Sequence, residues 1–325
     1  MKPTTYGLLI LLLACQAPAR LFAQPAGFPA LNTSLLGHWR IPDSLETYSG
    51  LCAYAASGRE YAIVGTTHGT AFLEVTDPAL PRLIRLIPAR QPAGLGGRTY
   101  QVYQHYAYGV ADGQGGHSLQ IFDLQYLPDS VRLVADDAAL AGARQCFIND
   151  DRLYLAASWR DSTSLIYHDV DAFSLQDPTH PTRARSFMAR VPFGWSAQSI
   201  FTCADSLYLA LGEGGVYCYI PTGPAPPTGT PMTPAGPVCT YATGSPSGRR
   251  FITVQPSRND SSLALYEFQF PRPNRLRRPK LMSYFGLPSP ASPRAASFLD
   301  ERYAIVAYQH DGVQVFDLLD PAHPR

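Results

Sequence analysis

Lysine is almost missing from this chain: Lys2 and Lys280 are the only two, so positive charge rests on arginine. Charged residues make up 16% of the sequence and balance to a formal net charge of +1, which leaves no field to steer nucleic acid or an acidic membrane surface. No apolar run is long enough to cross a bilayer. No two cysteines form a C-x-x-C pair, and the spacing of Cys52, Cys146, Cys203, Cys218 and Cys239 fits no zinc pattern. With Cys15 set aside these five are an odd number, and they read as small buried strand residues with room for one bridge in an exporting cell. There is no H-E-x-x-H, no P-loop and no glycine-rich dinucleotide fingerprint. Gly244-Ser245-Pro246-Ser247-Gly248 fails as a hydrolase elbow because Pro246 stands where the nucleophile would be, so it reads as a turn. Hydrophobic residues, by contrast, are 46% of the chain and aromatic ones 11%, enough to bury a sizeable core.

What is present is one phrase written six times. The last stretch, H-D-G-V-Q-V-F-D-L-L-D-P-A-H-P-R, sets a short β-rich run between an Asp311-Gly312 turn and an Asp320-Pro321 breaker. Residues 72–81 (F-L-E-V-T-D-P-A-L-P) and 172–181 (A-F-S-L-Q-D-P-T-H-P) repeat it, and residues 118–128, 215–221 and 263–271 carry looser copies. A period of about 45 to 55 residues built from strands points to a propeller. Before each copy stands a second β-rich run across a short polar turn, which makes a hairpin. A further apolar run comes after each breaker, and one more precedes each hairpin, giving four strands per unit. The expected fold is therefore all-β, a six-bladed β-propeller of four-stranded antiparallel blades. Residues 34–39 (S-L-L-G-H-W) look like a free copy of the outermost strand, and are expected to pair beside residues 312–318 and close the ring.

Two loops interrupt the pattern. Residues 221–237 are proline-rich and are read as an extended surface loop after the third strand of blade four, while residues 271–280 hold five basic side chains between prolines and read as a solvated loop. At the amino terminus Lys2 precedes an apolar run and a small-residue exit at Leu21-Phe22-Ala23, the pattern of a secretory signal, so residues 1–23 are expected to be removed and residues 24–325 to form the propeller. The competing reading is a lipobox, Leu12-Leu13-Ala14-Cys15, in which Cys15 is lipidated and anchors the protein.

Y-A-I-V-G-T-T-H-G-T-A-F-L-E-V-T-D-P in blade one, I-F-D-L-Q-Y-L-P-D-S-V in blade two and H-D-G-V-Q-V-F-D-L-L-D-P-A-H-P in blade six resemble the LVIVD-repeat proteins of the choice-of-anchor B group. The resemblance runs from Leu31 to Arg325. It implies a bacterial, secreted repeat protein held at the cell surface by whichever anchor a member carries. Members begin the innermost strand of a blade with polar pairs such as His-Asn, Arg-Asp or His-Asp. The matching positions here are Ser49-Gly50, Arg98-Thr99, Arg144-Gln145, Gln198-Ser199, Thr240-Tyr241 and Ala295-Ala296, where Arg98 alone keeps to the pattern.

Two functions are compatible with these residues. One is a non-enzymatic binding or scaffold module outside the cytoplasm, a monomer with a protein or glycan partner at the cell surface and no cofactor. The other is a periplasmic propeller enzyme, lactonase- or lyase-like, whose groups converge on the axis from separate blades and leave no local motif. Arg98, Arg144, Gln198 and Tyr241 are the ligand-binding candidates for either. They include no carboxylate or imidazole, so no metal is expected there, and an anion suits the two guanidinium groups. His168-Asp169-Val170-Asp171 and His310-Asp311 are read as polar hairpin residues rather than cation ligands. No catalytic residue is assigned.

Overall fold

The computed structural model describes residues 33–41, 47–90, 97–112, 119–137, 140–160, 166–187, 196–203, 206–220, 229–234, 238–256, 261–268, 278–287, 292–309 and 311–325. Among these there is no helix, and hence none long and apolar enough to cross a membrane. The strands fall into six antiparallel sheets, each running outward in chain order. Blade one is β1 (Tyr48–Ala56), β2 (Arg59–Thr66), β3 (Gly69–Glu74) and β4 (Arg82–Pro88). Blade two is β5 (Arg98–Tyr103), β6 (Tyr106–Ala111), β7 (Leu119–Asp123) and β8 (Arg132–Asp137). Blade three holds β10 (Gln145–Asn149), β11 (Arg152–Arg160), β12 (Ile166–Ser174) and β13 (Thr182–Phe187), with the short β9 (Leu140–Gly142) on β11. Blade four is β14 (Ser199–Cys203), β15 (Ser206–Ala210), β16 (Val216–Tyr219) and β17 (Thr230–Pro231). Blade five is β18 (Tyr241–Gly244), β19 (Arg250–Pro256), β20 (Ser261–Glu267) and β21 (Lys280–Phe285), and blade six is β22 (Pro293–Phe298), β23 (Tyr303–Tyr308) and β24 (Gly312–Asp317). The molecule is a six-bladed β-propeller.

Alternation along each strand assembles the ring. Successive side chains point to opposite faces of a sheet. On β15, Leu207 and Leu209 therefore enter the core shared with blade three, while Tyr208 and Ala210 enter the one shared with blade five. The same division sends Leu153 and Leu155 of β11 toward blade two but Tyr154 and Ala156 toward blade four. Five such cores join blade one to two, two to three, and onward to six. Every blade except the first and last is thus buried on both faces, which explains strands with almost no exposed residue, such as β7.

Two expectations need amendment. The strand foreseen at residues 34–39 is not formed among the described residues, and blade six shows three strands rather than four. Blade one holds that segment: Gly37 lies against Pro78 and Pro81, the Trp39 and Tyr48 rings meet edge to face at 6.0 Å, and the Ile41 amide donates to the Tyr48 hydroxyl. The proline-rich stretch after β16 contains regular structure, because Thr230 pairs with Cys218 and Pro231 with Tyr217 as the fourth strand of blade four. A proline is tolerated there since the outermost strand has a free edge that needs no donor. All five cysteines of the described residues are free thiols, four of them buried. Residues 221–228 and 235–237 of that loop, most of the arginine-rich loop and His310 lie outside the described residues, as do residues 1–32 with the signal segment and Cys15.

Candidate functional site at the ring axis

The innermost strands β1, β5, β10, β14, β18 and β22 line the axis, and each carries at or near its start one of the polar or small pairs from Ser49-Gly50 to Ala295-Ala296. These positions act between blades. The Ser49 hydroxyl accepts the Arg98 amide at 3.0 Å, the Thr99 hydroxyl the Cys146 amide at 3.1 Å, the Gln145 side-chain carbonyl the Ile200 amide at 2.7 Å, and the Ser199 hydroxyl the Ala242 amide at 2.8 Å. In every case a side chain at the start of one inner strand receives a backbone N–H from the next blade. A buried amide left unpaired costs about 1–3 kcal/mol, so each of these four bonds ties two blades together where no ladder can. Backbone contact is equally close: Gly50 (φ 62°) lies against the Arg98 carbonyl and Gly97 (φ 75°) against the Ser49 side chain, places where a Cβ would collide.

Arg98 is 5% exposed and its guanidinium is directed into blade one, with Nε donating to the Thr66 carbonyl at 3.0 Å and Nη2 to the Thr67 carbonyl at 3.3 Å. It closes the end of β2. Arg144 behaves differently: its side chain is 36% exposed, it donates to the Gln198 side-chain carbonyl, and its Nε stands 3.7 Å from the Asp112 carboxylate. Gln198 in turn donates to the Ser196 carbonyl and hydroxyl at 3.1 and 2.9 Å. Asp112, Arg144, Gln198 and Ser196 therefore form a polar string across blades two, three and four. Tyr241 turns away and packs against the core between blades five and six, where burial pushes its hydroxyl up. Of the four candidates the structure brings together Arg144 and Gln198 only.

Sequence reasoning gave no role to Ser49, Thr99, Gln145 and Ser199, although it marked their positions; the available signal was a hydrogen-bonding side chain as the second residue of the pair in three consecutive blades, Thr99, Gln145 and Ser199, with Ser49 one place earlier in blade one. It also misjudged Asp169 and Asp171. Both lie within β12, 1% and 0% exposed, instead of in a polar hairpin. Asp171 accepts the Ser158 hydroxyl at 2.6 Å from the second strand and the Ser186 hydroxyl from the fourth, and Asp169 accepts the Ala197 amide at 3.3 Å. The equivalent position is Ala71 in blade one, Gln120 in blade two and Ala264 in blade five, none of them a carboxylate. Thiol chemistry is muted as well, since burial pushes Cys146 and Cys239 up to about 12. Among the described residues no group of three His, Cys, Asp or Glu side chains is placed to hold a metal ion.

No family model matches this sequence, and no curated protein matches it. Solved structures do resemble it in fold. A candidate 6-phosphogluconolactonase from Bacteroides uniformis is 12% identical over 84% of this chain and 81% of its own, with a TM-score of 0.56. The β-propeller domain of Cps50 (Swd1) from Myceliophteria thermophila is 12% identical over 83% of each chain, with a TM-score of 0.59. A protein from Lactobacillus plantarum is 12% identical over 86% of this chain and 80% of its own, again at 0.56. At such identities the likeness concerns the propeller fold alone.

Proposed function

We propose that this protein is an exported, non-enzymatic propeller, a LVIVD-repeat protein of the choice-of-anchor B type that binds a protein or glycan outside the cytoplasm. The observation that carries the reading is the use made of the axial polar groups. Ser49, Thr99, Gln145 and Ser199 are committed to amides of the next blade, and the Arg98 guanidinium to backbone carbonyls. A catalytic constellation needs side chains free to meet a substrate within hydrogen-bonding reach of one another. Among the four candidates, Arg144 keeps a partly exposed side chain, held in orientation by Gln198 and Asp112. A fixed guanidinium suits a carboxylate or phosphate on the partner. Export rests on the amino-terminal segment, with Cys15 as the lipidation site if the anchor is a lipid.

Crosslinking on intact cells, with mass spectrometry of the products, tests both halves. The expected result is mature protein starting at Gln24 outside the cytoplasm, with a crosslinked partner whose recovery falls at least several-fold in Arg144→Ala. Undiminished recovery in that variant would remove Arg144 from the binding surface, and cytoplasmic protein retaining residue 1 would refute export. The enzymatic alternative predicts turnover of a lactone by the purified protein that Arg144→Ala and Gln198→Ala abolish without unfolding it.

A further inference from the structure

The last residue of the third strand gives the blades a common register. It is Ser174 in blade three, opposite Arg152, and Asp317 in blade six, opposite Tyr303. Four residues further along the second strand come Ala156 and Ala307, which lie opposite Gln145 and Ala295 on the innermost strands. Ala295 therefore holds the place of Gln145, and the residue before it, Arg294, holds the place of Arg144. Blade two follows the same count from Asp123 through Tyr106 and Val110 to Thr99, with Arg98 before it. An irregularity between Pro293 and Ala295 shifts β22 by one residue, so pairing Ala295 with Ala296 along the sequence passed this arginine over.

Around the ring this place is held by Tyr48, Arg98, Arg144, Gln198, Thr240 and Arg294. Arg98 is buried and committed to carbonyls of blade one, whereas Arg144 is partly exposed and Arg294 exposed. Blades three and six are three steps apart in a ring of six, so these two arginines stand on opposite sides of the axis. Each is braced by an amide side chain, Arg144 on the Gln198 carbonyl and Arg294 on that of Gln309. Asp112 lies 3.7 Å from Arg144, but among the described residues no carboxylate is within ion-pair distance of Arg294. Asp169 and Asp171 stand a strand further from the axis and accept the Ala197 amide and the Ser158 and Ser186 hydroxyls.

We propose that the mouth of the axis clamps an acidic oligosaccharide, with one carboxylate on Arg144 and a second on Arg294. This rests on the reading of Arg144 as the binding group and adds the group across the ring from it. Two braced guanidiniums set apart by the channel suit acidic groups on separate units of one chain, and the second contact of a linked ligand forms at high effective concentration. A carboxylate fits better than a phosphate, because Asp112 beside Arg144 leaves little positive charge there to balance a second negative one. Carboxylates fixed on sugar rings also lose less freedom than those on the flexible stems of an acidic peptide. Between the arginines the ring offers the half-exposed Tyr48, an aromatic face with a polar tip, and the side chains of Gln198 and Thr240 for hydroxyl groups.

Calorimetric titration of the purified protein with di-, tri- and tetragalacturonate tests this, beside galacturonate itself, the methyl-esterified tetramer and tetraglutamate. One of the oligomers should bind about tenfold or more tightly than the single sugar acid, and the ester should show no binding. Arg294→Gln should remove that advantage of length, leaving the oligomer no tighter than the single acid, while the melting temperature stays that of the wild type because Arg294 is exposed. Arg144→Gln should do the same from the other side. An oligomer weakened by Arg144→Gln but indifferent to Arg294→Gln would overturn the clamp and leave Arg144 as the binding group. Indifference to both variants would overturn both readings together. Equal or tighter binding of tetraglutamate or of the ester, or no binding of any oligomer, would overturn the acidic sugar.

Discussion

The two ends of the ring use similar polar residues in opposite ways. At the D-P-x-x-P turns, Asp177 accepts the amides of Thr179 and His180 at 3.0 and 3.2 Å, and Asp320 accepts the Ala322 amide at 3.0 Å while His323 leans on it at 2.9 Å. All these partners lie within three residues, and the side chains are in water. At the axis, Thr99 meets Cys146 and Ser199 meets Ala242, partners more than forty residues apart and in different blades. A turn fixes the shape of its own loop. The axial bonds fix where one blade sits on the next, so their loss is felt by the whole ring.

The contrast can be broken from its strong end. Arg98→Ala should cost about 3 kcal/mol in urea denaturation, because it strips two charge-assisted donors from the carbonyls closing β2 and leaves the void of a buried side chain. Ser199→Ala and Thr99→Val should each cost about 1–3 kcal/mol, the penalty of an unpaired buried amide, and the double variant should be close to additive because the two bonds join different blades. Asp320→Ala, at an exposed turn, should leave the denaturation midpoint within experimental scatter.

Acid sharpens the same comparison with the smallest effect. Hydrogen bonds from Arg82, then from Arg59, hold Glu74 below its ordinary 4.5, and those of Arg302 hold Asp317 below 3.8. A carboxylate whose folded value is depressed stabilises the fold above its unfolded value, and that contribution is lost as pH falls through the folded one. Stability should therefore be level near neutrality and decline below about pH 4.5. These carboxylates sit in solvent-screened surface pairs, so Glu74→Gln should change the acid limb only slightly.

The same division explains what could be read from the sequence. Strands, hairpins and breakers are local, and runs such as residues 61–65 and 303–307 stand inside β2 and β23 as expected. Blade number came from the repeat. Inter-blade bonds depend on which of two faces a residue takes and on how neighbouring blades are registered, and neither is written within one repeat; Tyr241 was placed on the axis but packs between blades. Asp171 looked like a hairpin residue because its donors, Ser158 and Ser186, are 13 and 15 residues away on flanking strands.

Amide hydrogen exchange of Ala242 in Ser199→Ala measures the axial bond itself. Ser199 is fully buried and its Oγ receives that amide at 2.8 Å, so the wild type should exchange there only through large-scale opening. The account predicts that the variant exchanges Ala242 at least tenfold faster relative to the ladder amides of β19. An Ala242 amide that remains as protected as those of β19 would contradict the claim that axial side chains hold the blades together.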